Sequence, residues 1–338
     1  MQRNVTRLSG TLHDLLVVGG GIYGACAAWE GALRGLRVAL IEAGDFGGAT
    51  SGNSLRTLHG GLRHLQRLDL ARMRESIRER REWLRLAPHL TRPLRFILPT
   101  HGRGLRGPLV MGAALRINDV LSADRNRGLR ADRRLPRSGL LSERAARTAL
   151  AGLELPDCNG AAAWYDAVCL DTERLLFSVV SAAADAGAHV ANYVRATGLL
   201  AHRGRVRGVR ARDELAGREM ELQARLVINA AGPWVEDWLP AGAGRPRAPL
   251  FRASRAFNLL TRPLPFRDGI GLALGGRGTY FILPWNGYSL IGTRHLRCDP
   301  GTRATDGMRE EVLAFVGDLN RVLGTHRLAG SDVRGVFA

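Results

Sequence analysis

The most constraining feature of this chain is a glycine-rich turn near its start. It separates the apolar run DLLVVG (residues 14–19) from GGIYGACAAWEGALRG, in which small residues recur at helical spacing. A second apolar run, LRVALIEA, reaches Glu42 at its end. This order of strand, turn, helix and strand predicts the first half of a doubly wound α/β sheet.

The turn itself fits the pattern G-x-G-x-x-G, which is informative when it follows a strand and opens a helix. Gly19 permits the tight turn, Gly21 lets the backbone approach a pyrophosphate, and Gly24 lets the helix lie close to the strand. The helix N-terminus offers N–H groups and a positive dipole to the phosphates. An acidic residue at the end of the second strand can accept hydrogen bonds from the adenosine ribose. It disfavours the 2′-phosphate of NADP, so NADP is not the expected cofactor. The predicted cofactor contacts here are Gly19, Gly20, Gly21, Ile22, Tyr23, Gly24, Glu42 and Ala43.

Two further segments indicate a cofactor longer than NAD. The loop AGDFGGATSGNSLRTLHGG follows the second strand directly, and its hydroxyl side chains can donate to a pyrophosphate. Later, VINAAGPWV forms a second small-residue turn. A long cofactor that crosses several loops explains both segments. The predicted contacts outside the first turn are Thr50, Ser51, Ser54, Gly60, Gly61, Val194, Ala230 and Gly232.

The charge of the chain indicates which classes of binding partner are expected. Its formal net charge is +18, and no lysine occurs, so the whole excess comes from arginine spread along the sequence. No nucleic-acid-binding motif is present. The composition therefore favours a phosphorylated substrate or an anionic lipid surface over nucleic acid.

Cysteine usage and the N-terminus predict a cytoplasmic protein. The four cysteines form no CxxC pair and no metal-ligand spacing, so they are expected to be reduced, and no metal site is predicted. The N-terminal segment lacks the apolar stretch of a signal peptide, and no run reaches membrane-spanning length. Any membrane association would be peripheral, on the cytoplasmic face.

The rest of the chain predicts a nucleotide domain interleaved with a second domain. Residues 68–86 have the spacing of an amphipathic helix, RPLRFILPT that of a strand, and residues 172–187 that of a helix with Asp171 or Thr172 as N-cap. Strands near 197–201, 205–212 and 219–226 resemble an antiparallel meander. The predicted divisions are 1–100 and 161–240 for the nucleotide domain, 101–160 and 241–300 for the substrate domain, and 301–338 for an incomplete return to the nucleotide domain.

Taken together, these motifs resemble the FAD-dependent, membrane-associated glycerol-3-phosphate dehydrogenases of the glutathione-reductase-like flavoprotein superfamily. The most specific element is ATSGNSLRTLHGGLRHL; WLRLAPHL, YDAVCLDTERL, LVINAAGPWV and FILPWNGYSLIGT follow in family order. The resemblance implies a Rossmann-type FAD-binding domain interleaved with an antiparallel-sheet substrate domain. It also implies noncovalent FAD, oxidation of sn-glycerol 3-phosphate to dihydroxyacetone phosphate by hydride transfer to flavin N5, and quinone as electron acceptor.

The resemblance places the HGGLR element, residues 59–63, beside the flavin ring. Gly60 and Gly61 would allow close approach of the backbone to the flavin. His59 is the candidate proton acceptor, because the unperturbed pKa of histidine lies near neutrality; the alternative is a structural histidine that hydrogen-bonds the loop or the flavin. Arg63 is the candidate ligand for the substrate phosphate, and the alternative is a surface or salt-bridged arginine.

Two positions depart from the family pattern. His64 stands where the family usually has tyrosine, and Arg255 lies near the place of a family histidine. His295 is a further candidate for the substrate pocket, with a loop position as the alternative. These departures make the pocket more cationic and leave open an acidic hydroxy compound other than glycerol 3-phosphate.

The chain ends at SDVRGVFA, where the family continues into an Arg-Pro segment, a Gly-Gly-Lys stretch and a helical domain. Without them we expect weaker FAD binding and an exposed apolar edge. A fragment, a truncated reading frame and a flavin-binding remnant without turnover all stay open. Another alternative is an amine, amino-acid or hydroxy-acid oxidoreductase of the same superfamily.

Overall fold

The computed structural model describes residues 2–238, 254–274, 278–297 and 307–338. The chain divides into two units. The first comprises Met1–Asn53 and Thr172–Ala253, and the second comprises Ser54–Asp171 and Ser254–Ala338. Cys298 and parts of the expected 241–300 and 301–338 segments lie outside the described residues.

The described helices and strands are as follows. The α-helices are α1 (Val5–Ser9), α2 (Ile22–Leu33), α3 (Leu70–Leu86), α4 (Pro108–Leu121), α5 (Glu143–Ala149), α6 (Thr172–Asp185) and α7 (Met308–Asn320). The strands are β1 (His13–Val18), β2 (Val38–Ile41), β3 (Thr57–Leu58), β4 (Thr91–His101), β5 (Gly139–Leu141), β6 (Cys158–Cys169), β7 (His189–Ala191), β8 (Val194–His202), β9 (Arg205–Asp213), β10 (Arg218–Asn229), β11 (Ser254–Thr261), β12 (Gly269–Ala273), β13 (Thr279–Trp285), β14 (Tyr288–Arg297) and β15 (Val333–Phe337).

The first unit is built on a six-stranded sheet in the order β7-β2-β1-β10-β9-β8. β1 lies between β2 and β10 and is parallel to both. Leu16, Val17 and Ile41 are completely buried, and Leu16 and Val17 point to opposite faces, as expected for parallel strands that are covered on both faces. The predicted unit of β1, α2 and β2 is confirmed, and so is the α/β fold class.

β10 serves two parts of this sheet. Its first half, residues 218–223, pairs antiparallel with β9, and its second half, from Ala224 to Asn229, pairs parallel with β1. The strand predicted near 219–226 is part of this longer strand. One continuous strand therefore joins the antiparallel meander to the parallel sheet and delivers the turn after Asn229 to the end of β1.

The second unit is built on a nine-stranded sheet in the order β15-β11-β14-β13-β12-β4-β6-β3, with β5 also paired to β6. One face packs against α7 through a cluster that includes Phe257, Ile291 and Phe315. The other face carries a second cluster that includes Phe96 and Trp164. We call these the α7 face and the Trp164 face.

The unit boundaries differ from the domain boundaries expected from the sequence. β4 was assigned to the nucleotide domain, but it pairs with β6 from Thr91 to His101 and so belongs to the second unit. β15 was expected to return to the nucleotide domain, but it pairs with β11 at the edge of the second sheet. Long-range strand pairing, which local patterns do not reveal, decides both assignments.

No helix within the described ranges is both long enough and apolar enough to cross a membrane.

Candidate active site

The glycine-rich turn of the first unit runs from the end of β1 to the start of α2. Gly19 has φ +109°, and a Cβ at this position would lie 2.8 Å from Ala231 N. A Cβ at Gly24 would overlap the carbonyl oxygen of Gly19. The turn and the helix therefore pack with no space for side chains at these two positions, as their spacing predicted.

The N-terminus of α2 presents donors suited to an anion. The N–H of Ile22 donates to Ser51 Oγ at 3.0 Å. The N–H groups of Tyr23 and Gly24 enter no hydrogen bond among the described residues, as is usual in the first turn of a helix. A Cβ at Gly21 would meet only Ser51 Oγ, at 3.2 Å, so this side of the turn is open. These residues fit a pyrophosphate at the helix N-terminus.

Glu42 holds the loop around this turn. One carboxylate oxygen accepts the N–H of Gly20 at 2.7 Å, and the other accepts the N–H of Gly44 at 2.8 Å. Each carboxylate oxygen can accept a second hydrogen bond, so a contact with a ribose stays a prediction. The neighbouring Ala43 is partly exposed. The sequence did not reveal that Glu42 braces the loop from within.

The other predicted cofactor residues of the first unit have varied surroundings. Thr50 is exposed, whereas the Val194 side chain is fully buried and its N–H donates to the Glu42 carbonyl at 2.8 Å. Ala230 N–H donates to the Val18 carbonyl at 2.7 Å, which places the second small-residue turn against Gly19. Gly232 has φ +57° and open space where a Cβ would stand.

His59 of the second unit follows β3 on the loop that leads to α3. Its side chain is 49% exposed, and its Nδ1 lies 3.3 Å from Asp166 Oδ2. The ring also lies near Phe281, with 6.5 Å between the ring centroids. The imidazole is therefore held on one side by a carboxylate, and Nε2 enters no hydrogen bond with the described residues.

Asp166, on β6, is a residue that the sequence analysis did not single out. Its side chain is buried and accepts hydrogen bonds from four groups: Gly60 N–H at 2.7 Å, Trp164 Nε1 at 3.2 Å, Arg80 Nη1, and His59 Nδ1. Burial alone would raise the pKa of Asp166, but the hydrogen bond from His59 and the charge of Arg80 outweigh it and lower the pKa to about 2. Asp166 is therefore ionised at neutral pH.

Arg80, on α3, is buried beneath the HGGLR loop. It donates to Asp166 and, at 2.9 Å, to the Tyr165 carbonyl. Its position in the sequence contains a signal for this burial. Arg80 falls on the same helical stripe as Met73, Ile77 and Leu84, and all four are buried. A charge on an apolar stripe indicates a buried partner.

The two glycines of HGGLR allow the loop to lie against α3. A Cβ at Gly60 would overlap the guanidinium of Arg80, and a Cβ at Gly61, where φ is +78°, would lie 2.9 Å from Ser76 Cβ. Their predicted role in approaching the flavin stays a prediction. The described contacts give an independent reason for glycine at both positions.

Arg63 and His64 lie in the 3-10 helix Leu62–Arg67 that follows this loop. Arg63 is exposed, and its guanidinium makes no hydrogen bond or ion pair with any described residue. His64 is partly buried. Ser54, just before β3, accepts the N–H of Arg56 at 3.2 Å.

Arg255 does not share a sheet face with the surroundings of His59. It pairs with Leu296 and lies two residues before Phe257 on β11, so it lies on the α7 face. Phe281, which His59 contacts, packs into the cluster of the Trp164 face. His295 is exposed near the end of β14, with Nδ1 3.4 Å from Ser254 Oγ. A role in substrate binding stays a prediction for both residues.

Comparison with known proteins shows the family to which this chain belongs. Residues 14–334 match the family model described as FAD dependent oxidoreductase. The chain is 32% identical to a glycerol-3-phosphate dehydrogenase of Synechocystis, over 99% of this chain and 62% of the relative. It is 31% identical to glycerol-3-phosphate dehydrogenase 2 of Mycobacterium tuberculosis, over 98% of this chain and 55% of the relative.

A solved structure shares the fold. The structure of glycerol-3-phosphate dehydrogenase from Bacillus halodurans, complexed with FAD, aligns with a TM-score of 0.74 at 24% identity, covering 98% of this chain and 57% of that one. The chain thus spans a little over half the length of the relatives that it matches. Because the family model covers nearly the whole chain, the protein belongs to the FAD-dependent oxidoreductase family, and its cofactor is FAD.

Proposed function

We propose that this chain forms the FAD-binding and substrate-oxidising part of a glycerol-3-phosphate dehydrogenase. It would oxidise sn-glycerol 3-phosphate to dihydroxyacetone phosphate and pass the electrons to a quinone. The observation that carries the proposal is the similarity, over nearly the whole chain, to proteins named glycerol-3-phosphate dehydrogenase. The HGGLR loop supplies side chains that suit the reaction.

The reaction requires a proton acceptor for the C2 hydroxyl group. Bound FAD supplies the acceptor for the hydride that leaves C2. His59 would take the hydroxyl proton on Nε2 as the C2–O bond becomes a carbonyl. Two electrons and one hydrogen nucleus then leave C2 together as the hydride, and the hydroxyl proton stays on the imidazole. The exposure of the ring and the carboxylate behind Nδ1 support this role.

The substrate phosphate requires a cation. Arg63 is the first candidate, because it is exposed and has no anionic partner among the described residues. A guanidinium binds a phosphate through paired hydrogen bonds. His64, in the same 3-10 helix, is the second candidate. Arg255 and His295 rank below them, because Arg255 lies on the α7 face and His295 at an exposed strand end.

An anaerobic visible spectrum of the FAD-loaded chain tests the reaction. Addition of sn-glycerol 3-phosphate should bleach the flavin band, and glycerol, which lacks the phosphate, should bleach it far more slowly. A flavin that stays oxidised with glycerol 3-phosphate would overturn the proposal for this chain. Bleaching by amines or other hydroxy acids would then assign it to another activity.

The electron acceptor and the membrane contact are separate parts of the proposal. A quinone analogue should reoxidise the reduced flavin faster than dissolved oxygen does. The excess of arginine favours attraction to anionic lipid. Co-sedimentation with anionic vesicles, weakened by salt and absent with neutral vesicles, is the expected result; equal binding to both would contradict it.

A further inference from the structure

The carboxylate of Asp166 is surrounded by four donors from three parts of the second unit: the loop after β3, helix α3 and strand β6. Gly60 N–H and Trp164 Nε1 lie 2.7 and 3.2 Å from its oxygens, and Arg80 and His59 complete the set. The group is buried, so it is shielded from bulk solvent. A buried carboxylate with this many donors is fixed in one orientation.

This arrangement has a consequence for the protonation of His59. Asp166 is an acceptor and not a donor, because it is ionised at neutral pH. The neighbouring Nδ1 of His59 must therefore carry the hydrogen in the neutral imidazole. Nε2 then carries the lone pair, and it is the atom that is left for a substrate.

We propose that Asp166 is a positioning residue that fixes the ring and the Nδ1–H tautomer of His59, and that Arg80 holds Asp166 in place for this task. The inference rests on the proposed role of His59 as proton acceptor. It assigns to the YDAV segment a part in the chemistry that its place in a buried strand does not reveal.

The position of Arg80 explains why the orientation is rigid. Its Nη1 donates both to Asp166 and, at 2.9 Å, to the Tyr165 carbonyl. The absence of a side chain at Gly60 lets the loop close over it. The positive charge also offsets the cost of burying the carboxylate. Removal of either charge alone would leave the other buried without its opposite charge.

A purely structural role for Asp166 is the competing explanation, and the tautomer of His59 separates the two. The measurement is the ¹⁵N spectrum of the FAD-loaded protein labelled at its histidine imidazoles, with the signals of His59 identified by their loss in His59→Gln. At a pH where His59 is neutral, the wild type should show hydrogen on Nδ1 and none on Nε2. Asp166→Asn should give a mixture of tautomers or the reverse one.

The kinetic readout is the division between kcat and KM. Asp166→Asn should lower kcat at least about tenfold, since loss of an orienting carboxylate behind a histidine base costs up to about 10⁴-fold in serine proteases. KM should change less than about threefold, because the carboxylate does not touch substrate. An equal loss of kcat in an Asp166→Asn protein whose His59 tautomer is unchanged would contradict the inference.

The chain offers a matched control in the same unit. Asp318 is a similarly buried carboxylate, 3.0 Å from the guanidinium of Arg294 on the α7 face. Asp318→Asn should lower the melting temperature without any change in the His59 tautomer. If Asp166→Asn does not fold, the double variant Asp166→Asn with Arg80→Gln removes both buried charges together and should show the same tautomer change.

The outcomes distinguish this inference from the proposed function. Hydrogen on Nε2 in the wild type, or an unaltered tautomer in the Asp166 variants, would overturn the positioning role even if glycerol 3-phosphate bleaches the flavin. The expected tautomer change without bleaching by glycerol 3-phosphate would support the positioning role and overturn the substrate assignment instead.

Discussion

The guanidinium of Arg80 lies so close to the backbone of Gly60 that one methyl group at position 60 would overlap it. The same guanidinium is paired with Asp166, so the packing of the loop and the buried ion pair depend on each other. A change at Gly60 must therefore move either the loop that carries His59 or the side chain of Arg80.

Gly60→Ala should lower the free energy of unfolding by about 1–3 kcal/mol, the usual range for overpacking a buried site. Urea unfolding followed by circular dichroism measures it. Gly139→Ala is the control, because a Cβ at Gly139 meets nothing within 4 Å. A Gly60→Ala protein as stable as Gly139→Ala would contradict the described packing.

Arg63→Gln should raise KM for glycerol 3-phosphate by about 10–100-fold, the cost of a lost charge-assisted hydrogen bond. The melting temperature should not change, since Arg63 is exposed. Arg67→Gln, an exposed arginine of the same 3-10 helix, is the control and should leave KM unaltered. With glycerol as substrate the Arg63 variant and the wild type should be equally slow. A KM unchanged by Arg63→Gln would assign the phosphate to another residue.

Glu42→Gln should weaken FAD binding by about tenfold or more, because a charged acceptor for the Gly20 and Gly44 N–H groups is lost. Titration of the apoprotein with FAD, followed by flavin fluorescence, gives the dissociation constant. Glu30→Gln on α2 is the control, since Glu30 forms an exposed pair with Arg34. Equal affinities of the two variants would show that the loop does not depend on the Glu42 charge.

The first unit should lose stability in mild acid. His13 is fully buried with Nε2 3.0 Å from the Leu8 carbonyl, and its ring lies edge-to-face with His189 at 5.4 Å. Burial lowers the pKa of both histidines below 6.5 in the folded chain. Since the unfolded chain binds these protons first, the stabilising contribution is complete above about pH 6.5 and is lost as the pH falls towards the folded-state pKa.

Unfolding free energies at pH 7.5 and 5.5 measure this effect. The difference between the two should be smaller in His13→Gln than in the wild type, because glutamine does not titrate. The carboxylates Asp14 and Asp166, whose pKa values are about 2, do not contribute in this range. An identical pH difference in both proteins would exclude His13 as its source.

The sequence alone determined the features that depend on short stretches of chain. The glycine-rich turn, the helix that follows it and Glu42 at the end of β2 were predicted because each belongs to one βαβ unit with a fixed spacing. The helix α3 was predicted from its apolar stripe. The HGGLR loop was identified by resemblance, because its motif is contiguous. The fold class followed from the order of these elements.

The tertiary structure alone decided what is joined across long stretches of chain. Asp166 and Arg80 lie far apart in sequence from His59, and the pairing of β3 and β4 with β6 brings the three together. Strand alternation on β11 places Arg255 on the α7 face, which no motif could indicate. A one-residue shift in a strand exchanges the two faces of a sheet. The register of long-range strand pairing, and not local sequence, therefore determines which charges surround the histidine.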